Sequence, residues 1–191
     1  KLYPDIPILS EEGKDIPYSI RKKWDLFWLV DPIDGTKEFI KKNGEFTVNI
    51  ALIKNNYPIF GSVYAPYIKE LFWAFEGLGA WKSYNKYEEQ KITVASNEKE
   101  KRIVISRSHP NEKVTEFISQ YQSHQLIRMG SSLKLCCIAE GKADIYPRLG
   151  PTSEWDIGAA QCIVEQAGGT VLEYETNKRL KYNKENILNP F

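Results

Sequence analysis

The chain is poor in cysteine, has no excess of either charge and lacks long apolar runs, and each shortage excludes a class of protein. Its three cysteines, Cys136, Cys137 and Cys162, lack the spacing of a zinc finger and lie among apolar residues, which predicts buried thiols in a reducing compartment. The 26 basic and 25 acidic residues give a net charge of +1, too balanced for a surface that coats nucleic acid. No apolar run approaches the roughly 18 residues of a membrane span.

The composition is that of an ordinary globular protein, with 42% hydrophobic and 27% charged residues, which argues against extended disorder. The 191 residues suffice for one sizeable domain or for one domain with two lobes. We recognise no internal repeat, low-complexity tract, linker or signal peptide. The chain begins with Lys1 rather than Met, and we expect a further segment upstream of it.

The segment 28–36, WLVDPIDGT, combines the end of a strand, an acidic turn and the start of a helix. Its apolar residues predict a buried strand, and Asp31 and Asp34 follow three positions apart. Gly35 lets the backbone turn tightly beside a ligand, and Thr36 is placed to cap a short helix. Carboxylates at such a turn suit Mg²⁺, which binds carboxylate and phosphate oxygens together, and a helix start favours phosphate. The alternative is an ordinary loop that uses Asp and Gly for turning.

The pattern changes near Arg102, where an antiparallel region gives way to alternating strands and helices. Alternating apolar residues between turn residues predict a meander of strands at 47–54, 58–65, 70–75 and 80–84. Downstream we predict strand 103–105, helix 110–121, helix 131–140, strand 144–146, helix 153–167 and strand 170–174. Asp156 lies in the first turn of the last helix, where the dipole favours a carboxylate and a phosphate or cation is within reach.

Three acidic motifs in this order resemble those of the metal-dependent, lithium-sensitive phosphatases of the inositol monophosphatase superfamily. They are Glu11-Glu12 after a short strand, the segment 31–36 and Trp155-Asp156. Further segments resemble one branch, the CysQ-type 3′(2′),5′-bisphosphate nucleotidases: 35–39, 43–53, 106–109, 130–134 and 146–152. The resemblance covers essentially the whole chain.

The resemblance implies an α/β, α+β layered fold, a sugar-phosphatase-like αβαβα sandwich in which an antiparallel sheet is followed by a mixed sheet. The N-terminal helical layer of such folds has no counterpart in this sequence. We expect two lobes of one catalytic unit: a metal-binding, antiparallel-sheet half at 1–101 and an α/β nucleotide-binding half at 102–191.

The resemblance also implies two or three Mg²⁺ ions at one site, with ligands from Glu11, Asp31, the Ile33 carbonyl, Asp34 and Asp156. Cations would offset the repulsion and desolvation of gathered carboxylates, and paired metals can clamp both oxygens of an in-line displacement. Catalysis would rest on Asp31, Asp34 and Thr36, with Thr36 orienting the attacking water. Glu12 is the alternative to Glu11. The Asp that supports this water in relatives lies in the N-terminal segment, so the catalytic base is left open.

For the substrate, the resemblance implies that the N–H groups of Gly35 and Thr36 bind the scissile phosphate, beside Asp156. The adenosine 5′-phosphate would be surrounded by His109, Ser131, Lys134 and Arg148. Lys and Arg suit a second phosphate by charge, and Arg can contact it with two parallel bonds. Ser132 is the alternative to Ser131, while Lys134 could be only solvated and His109 could cap the next helix.

The implied activity is Mg²⁺-dependent hydrolysis of adenosine 3′,5′-bisphosphate to AMP and phosphate, which clears a by-product of sulfate assimilation and recycles the nucleotide. The 5′-phosphosulfate analogue is a second expected substrate. We expect a cytoplasmic protein, peripheral at the cytoplasmic side of the inner membrane, whose partner is a small molecule and not a nucleic acid polymer. The alternatives are an inositol monophosphatase and a catalytically silent phosphometabolite-binding protein. The intact acidic set argues against a mere binder.

Overall fold

The computed structural model describes residues 5–85, 88–95, 100–108 and 111–189 of the chain. The strands in these ranges are β1 (Ile8–Ser10), β2 (Leu26–Asp34), β3 (Thr47–Lys54), β4 (Tyr57–Ala65), β5 (Glu70–Phe75), β6 (Gly79–Tyr84), β7 (Glu88–Ile92), β8 (Lys101–Ser106) and β9 (His124–Met129). The helices are α1 (Tyr18–Arg21), α2 (Thr36–Ile40), α3 (Glu112–Ser119), α4 (Leu133–Ala139) and α5 (Glu154–Gln166).

Within the described ranges, β1 to β7 form one seven-stranded sheet in sequence order. Antiparallel pairing runs without interruption from β2 to β7. Because successive side chains of a strand point to opposite faces, β3 buries four alternate residues on one face: Thr47, Asn49, Ala51 and Ile53. The predicted meander is therefore confirmed, and the structure extends it by β2 and β1 at one edge and by β7 at the other.

Helix α5 packs against this sheet and forms much of the core. At Gly61 of β4 there is no room for a side chain, since an added Cβ would lie 2.1 Å from the carbonyl oxygen of Ala159. Gly158 also lies close to β2, where an added Cβ would lie 2.8 Å from a methyl group of Leu29. The sequence predicts a buried helix face, and its residues are buried as expected: Ile157, Ala160, Val164 and Ala167. A helix from the second half thus covers the first sheet, and the boundary at residue 101 stays a prediction.

The order of the two sheets is as predicted, but the parallel pairing is distributed differently. We predicted an antiparallel sheet followed by a mixed one. The first sheet is itself mixed, because β1 pairs with β2 in parallel, and in the described ranges β8 and β9 form a parallel pair. Parallel neighbours need a long crossover. The connection through α1 provides it for β1 and β2, and the connection through α3 provides it for β8 and β9.

Two predicted strands are reduced to single bridges. Segment 144–146 touches β8 at one position, Ile145 opposite Ile103, and then reaches Pro147, which has no N–H with which to continue a ladder. Among the described residues, segment 170–174 is reduced to one bridge, Leu172 opposite Arg179. The predicted helix 131–140 begins two residues later than expected, because Ser131 has φ of 44° and cannot continue a right-handed helix. The predicted helices 110–121 and 153–167 are likewise shorter by one to two residues at each described end.

No helix in the described part of the chain combines the length and the apolar character that crossing a bilayer requires. The three cysteines carry free thiols and are buried, as predicted. They contribute to the core as small apolar side chains.

Candidate active site

Strand β2 and the turn after it carry the first acidic motif. The strand runs through Asp34, and its register against β3 shifts between Asp31 and Asp34, which is the signature of a bulge that re-aims side chains. Gly35 then adopts φ of 87° and is the N-cap of α2. Thr36 is the first helical residue and not the cap, because the left-handed turn is completed at Gly35. Its hydroxyl lies 3.5 Å from the Ile33 carbonyl oxygen, an oxygen predicted to be a ligand.

Parallel pairing of β1 with β2 brings Glu11 to Asp31. Ser10 lies opposite Val30, and the Glu11 N–H donates to the Val30 carbonyl at 3.2 Å. The Glu11 carboxyl is close enough to Asp31 to contribute to raising the pKa of Asp31. Asp31 is 1% exposed, and its Oδ1 accepts the Ile33 N–H at 3.0 Å. The geometry therefore puts Glu11 beside Asp31, which favours Glu11 over Glu12 for the predicted role.

Asp156 reaches the same region from the first turn of α5. Its Oδ2 accepts the Ser153 N–H at 2.9 Å, completing a capping box. Glu154, in the same helical turn, is fully buried and anchors this turn to the segment 183–184. It accepts hydrogen bonds from the Asn183 N–H at 2.7 Å, the Lys184 N–H at 2.9 Å and the Lys184 ammonium at 2.8 Å. Sequence analysis missed Glu154, since a glutamate in a first helical turn is normally only a dipole partner.

Burial and neighbouring acidic side chains raise the pKa values of Asp31 and Asp156. Burial, followed by the charge of Asp34 and the neighbouring Glu11 and Asp156, raises the pKa of Asp31 to about 8. Burial and the charge of Asp34 raise the pKa of Asp156 to about 6, against the opposing Ser153 N–H. Each shift means that the surroundings disfavour negative charge on that carboxyl. Asp31 and Asp156 are thus within electrostatic reach of Asp34 and Glu11, while the convergence of all four acids on one metal site stays a prediction.

The carboxylates are coupled, but they do not form a closed coordination shell. Nowhere in the described ranges do three or more Asp, Glu, His or Cys side chains meet the geometry for holding a metal ion. Charge coupling extends farther than a coordination bond, and Asp34 and Asp156 each direct one oxygen to a hydrogen-bond donor. The donor set nevertheless fits Mg²⁺, because it consists of oxygens and its crowded negative charge favours a cation.

Ser132 links the acidic motifs in a way that the sequence did not reveal. Its N–H donates to Asp34 Oδ2 at 2.6 Å, and its hydroxyl lies 2.9 Å from both that oxygen and the carbonyl oxygen of Asp156. The same hydroxyl accepts Asn49 Nδ2 at 2.9 Å. Ser132 and Asp34 are 98 residues apart, so no local pattern could have paired them. With Ser132 committed to Asp34, Ser131 is the better placed of the two serines for a substrate.

A cleft of about 300 Å³ unites most of the predicted site. The predicted residues that line it are Asp34, Gly35, Thr36, Ser131, Lys134, Arg148 and Asp156. Asp31 and Ile33 are not part of its wall, and Glu11 lines a neighbouring cavity of about 320 Å³ together with Trp155. His109 lies outside the described residues. The cleft thus joins the acidic turn to the basic residues, while Asp31 is buried and does not line it.

The predicted cations Lys134 and Arg148 line this cleft, as does Lys37. Lys134 is 7% exposed, its ammonium donates to the Ser131 carbonyl at 2.5 Å, and it lies 5.5 Å from the centre of the Tyr146 ring. Burial lowers the pKa of Lys134 to about 8, against the opposing charge of Asp34. Arg148 donates through Nη2 to the Pro151 carbonyl at 2.8 Å. In the described part of the chain, its buried Nε and the Ser131 hydroxyl have no hydrogen-bond partner, a condition that a bound anion would relieve.

Comparison with known proteins identifies the family. The model of the inositol monophosphatase family matches residues 1–190. The CysQ 3′(2′),5′-bisphosphate nucleotidase of Salmonella typhimurium is 49% identical over 190 residues, covering 99% of this chain and 75% of that protein. The CysQ of Escherichia coli is 47% identical over 191 residues, with the same coverage.

Solved structures agree with this match. CysQ from Bacteroides thetaiotaomicron superposes with a TM-score of 0.91 at 44% identity, covering 97% of this chain and 75% of that one. Inositol monophosphatase from Anabaena superposes with a TM-score of 0.80 at 30% identity, covering 99% and 75%. Both the sequence match and the fold match extend over nearly the whole chain. The chain therefore belongs to the inositol monophosphatase family.

Proposed function

We propose that this protein is a Mg²⁺-dependent 3′(2′),5′-bisphosphate nucleotidase that hydrolyses adenosine 3′,5′-bisphosphate to AMP and phosphate. The observation that carries the proposal is the single cleft in which Asp34, Asp156 and the Gly35-Thr36 turn face Lys134 and Arg148. The names of the CysQ relatives, at 47–49% identity, support the same activity. Its place in sulfate assimilation, the phosphosulfate substrate and the cytoplasmic, membrane-peripheral location stay predictions.

The two ends of the cleft suit the two phosphates of this substrate. At the acidic end, the Gly35-Thr36 turn and the carboxylates would receive the scissile 3′-phosphate. At the other end, Lys134 and Arg148 would bind the 5′-phosphate, because a phosphate without a metal needs cationic side chains. Arg148 Nε and the Ser131 hydroxyl, which lack a hydrogen-bond partner among the described residues, lie at this end and would supply donors for its oxygens.

Hydrolysis would transfer the phosphoryl group to water, breaking the bond between phosphorus and the 3′-oxygen, which leaves with a proton. Bound Mg²⁺, two or three ions held by Glu11, Asp31, the Ile33 carbonyl, Asp34 and Asp156, would supply charge neutralisation and a water of lowered pKa. Thr36 would orient the attacking water. Positioning and charge are what phosphoryl transfer mainly requires, and these residues serve both.

The competing activity is that of an inositol monophosphatase, and the similarity to the Anabaena inositol monophosphatase at 30% identity supports it as the alternative. Inositol 1-phosphate carries one phosphate, so it has no group for the basic end of the cleft. A first assay therefore compares phosphate release from adenosine 3′,5′-bisphosphate, adenosine 3′-monophosphate and inositol 1-phosphate with Mg²⁺. We expect the bisphosphate to have the highest kcat/KM. Preference for inositol 1-phosphate would reject the nucleotidase assignment.

Removing the basic end should discriminate between the nucleotides. Arg148→Ala and Lys134→Met, which keeps the bulk of a buried side chain, should each lower kcat/KM for the bisphosphate about ten- to a hundredfold, since a charge-assisted contact contributes about 1.5–3 kcal/mol. Adenosine 3′-monophosphate never makes the contact and should be nearly unaffected. Lys142→Ala is the control, because Lys142 is 60% exposed and pairs with Glu140. Equal losses on both nucleotides would show that these residues serve the scissile phosphate or the fold.

A further inference from the structure

Glu45, in the segment between α2 and β3, accepts hydrogen bonds from two other parts of the chain. Its Oε1 accepts Arg107 Nη2 at 2.7 Å, and its Oε2 accepts Arg107 Nε at 2.8 Å. Oε2 also accepts the Gly130 N–H at 2.8 Å. One carboxylate thus joins the segment after β8 to the segment after β9, and it joins both to the first sheet.

Arg107 is itself anchored to β9. Its N–H donates to the Met129 carbonyl at 3.2 Å, and its Nη2 donates to the Arg128 carbonyl at 2.8 Å. The Arg107 guanidinium is therefore held by Glu45 on one side and by the Arg128 carbonyl of β9 on the other, which restricts its movement. A bidentate pair of this kind fixes orientation as well as distance.

The backbone around Glu45 is packed against the same two segments. An added Cβ on Gly130 would lie 2.8 Å from the Glu45 carbonyl oxygen and 2.9 Å from Glu38 Cγ. An added Cβ on Gly35 would lie 3.1 Å from the Glu45 carbonyl oxygen and 3.1 Å from Ser131 Cβ. Glu45 is therefore wedged between the Gly35 turn and the segment that begins at Gly130.

The segment that follows Gly130 supplies the basic end of the cleft. Ser131 comes one residue after the N–H that Glu45 holds, and Lys134 comes four residues after it. In the proposed function, the distance from the Gly35-Thr36 turn to these side chains would have to match the distance between the two phosphates of the substrate. The contact of Gly130 with Glu45 therefore helps to set that distance, together with the hydrogen bonds of Ser132 to Asp34.

The pair contributes little to global stability. The side chains of Glu45 and Arg107 are 22% and 44% exposed, and exposed ion pairs typically contribute about 0.2–1 kcal/mol. Their hydrogen bonds instead converge on one segment of the cleft. A role in placing that segment is thus separable from a role in folding.

We propose that Glu45 is a positioning residue, which through Arg107 and the Gly130 N–H holds the segment 130–134 at the right distance from the Gly35-Thr36 turn. The proposal rests on the proposed function for its substrate. Glu45 does not touch the substrate, and it acts through Ser131 and Lys134. It serves the bisphosphate more than a monophosphate, because only the bisphosphate spans both ends of the cleft.

The test is Glu45→Gln, which keeps the shape of the side chain and removes its charge. Glu165→Gln is a matched control, because Glu165 also binds an arginine with both oxygens, Arg179 at 2.9 and 2.7 Å, with exposures of 14% and 44%. We expect KM for adenosine 3′,5′-bisphosphate to rise about tenfold in Glu45→Gln, since misplacement by about 1 Å can cost up to about a hundredfold. The kcat for adenosine 3′-monophosphate should stay within about threefold, and Glu165→Gln should leave both substrates unaffected.

Amide hydrogen exchange provides a second readout that needs no turnover. Glu45→Gln should speed exchange in the segment 128–134, where the Gly130 N–H loses its anionic acceptor, and Glu165→Gln should leave that segment unchanged. The positioning role would be overturned by unchanged exchange at 128–134 in Glu45→Gln. It would also be overturned if Glu45→Gln and Glu165→Gln changed kcat and KM to the same extent. The wild-type substrate preference decides the proposed function separately. If inositol 1-phosphate is preferred, the proposed function is rejected, and with it the argument that the cleft spans two phosphates. Faster exchange at 128–134 in Glu45→Gln would still show that Glu45 holds the Gly130 N–H.

Discussion

Replacing Ser132 with alanine tests whether the hydrogen bonds to Asp34 hold the predicted magnesium ligands in place. The substitution removes a hydroxyl that lies 2.9 Å from Asp34 Oδ2 and 2.9 Å from the Asp156 carbonyl oxygen. It leaves the backbone N–H of residue 132, 2.6 Å from the same carboxylate oxygen. Asp34 therefore loses the hydroxyl but keeps this N–H and two longer contacts of 3.4 Å, from Thr47 and Asn49. We expect the Asp34 carboxylate to stay near its position with wider freedom of rotation.

The size of the effect follows from these contacts. A hydrogen bond to a charged group contributes about 1.5–3 kcal/mol, and loss of a partner behind a metal ligand typically costs about ten- to a hundredfold in metal affinity. Asn49 also loses its 2.9 Å acceptor and retains only a 3.4 Å contact with Asp34. We expect the Mg²⁺ concentration for half-maximal activity to rise about ten- to a hundredfold, with kcat partly restored at saturating Mg²⁺.

Two assays measure this prediction: phosphate release titrated with Mg²⁺, and direct Mg²⁺ binding by calorimetry. The control is Ser119→Ala, which removes an exposed hydroxyl bonded to the Glu116 carbonyl in α3. Melting temperatures should show that both variants are folded. If Ser132→Ala required no more Mg²⁺ than wild type in either assay, the inferred coupling of Ser132 to the metal ligands would be wrong.

Two further predictions concern a predicted ligand and the core. Asp31→Asn should abolish turnover and weaken Mg²⁺ binding without lowering the melting temperature, because it removes a ligand and relieves repulsion from neighbouring acids; wild-type turnover would contradict the two-metal scheme. Gly61→Ala should lower the free energy of unfolding by about 3 kcal/mol, near the upper end for overpacking, because its Cβ would lie 2.1 Å from the Ala159 carbonyl oxygen. Denaturant unfolding measures this, and an unchanged midpoint would contradict the packing of α5 on β4.

The parts of the fold that follow from sequence are those whose burial pattern is local. β3 alternates buried and open positions along its whole length, so its bounds at Thr47 and Lys54 are predicted correctly. β7 and β9 escaped prediction, because β7 has the polar sequence EEQKI and β9, HQLIRM, has no fully buried residue. Such strands form because a neighbouring strand offers backbone hydrogen bonds, and the sequence of the strand itself does not show that this neighbour is present.

The candidate site likewise contains residues that local sequence indicates and contacts that it does not. Asp31, Asp34 and Asp156 could be singled out because each stands at a strand end or helix start where its chemistry is readable. The contacts that fix them could not. Ser132 with Asp34 and Arg107 with Glu45 are 98 and 62 residues apart, and a serine or glutamate in a loop carries no signal of a distant partner. Residue types thus indicate the chemistry, while the tertiary structure decides which side chains support it.

Asp31 and Glu154 show how differently the protein surrounds two buried acids, one of which is a predicted metal ligand. Glu154 is fully buried, and its two oxygens accept three hydrogen bonds from Asn183 and Lys184, one of them from an ammonium, so its charge is compensated by the protein itself. Asp31 is equally hidden, but its neighbours are Glu11, Asp34 and Asp156, which together with burial raise its pKa to about 8. The interior thus opposes negative charge on Asp31. An apolar residue would suit folding better at this position, whereas a bound cation would favour the ionised carboxylate, which supports the proposed metal-dependent activity.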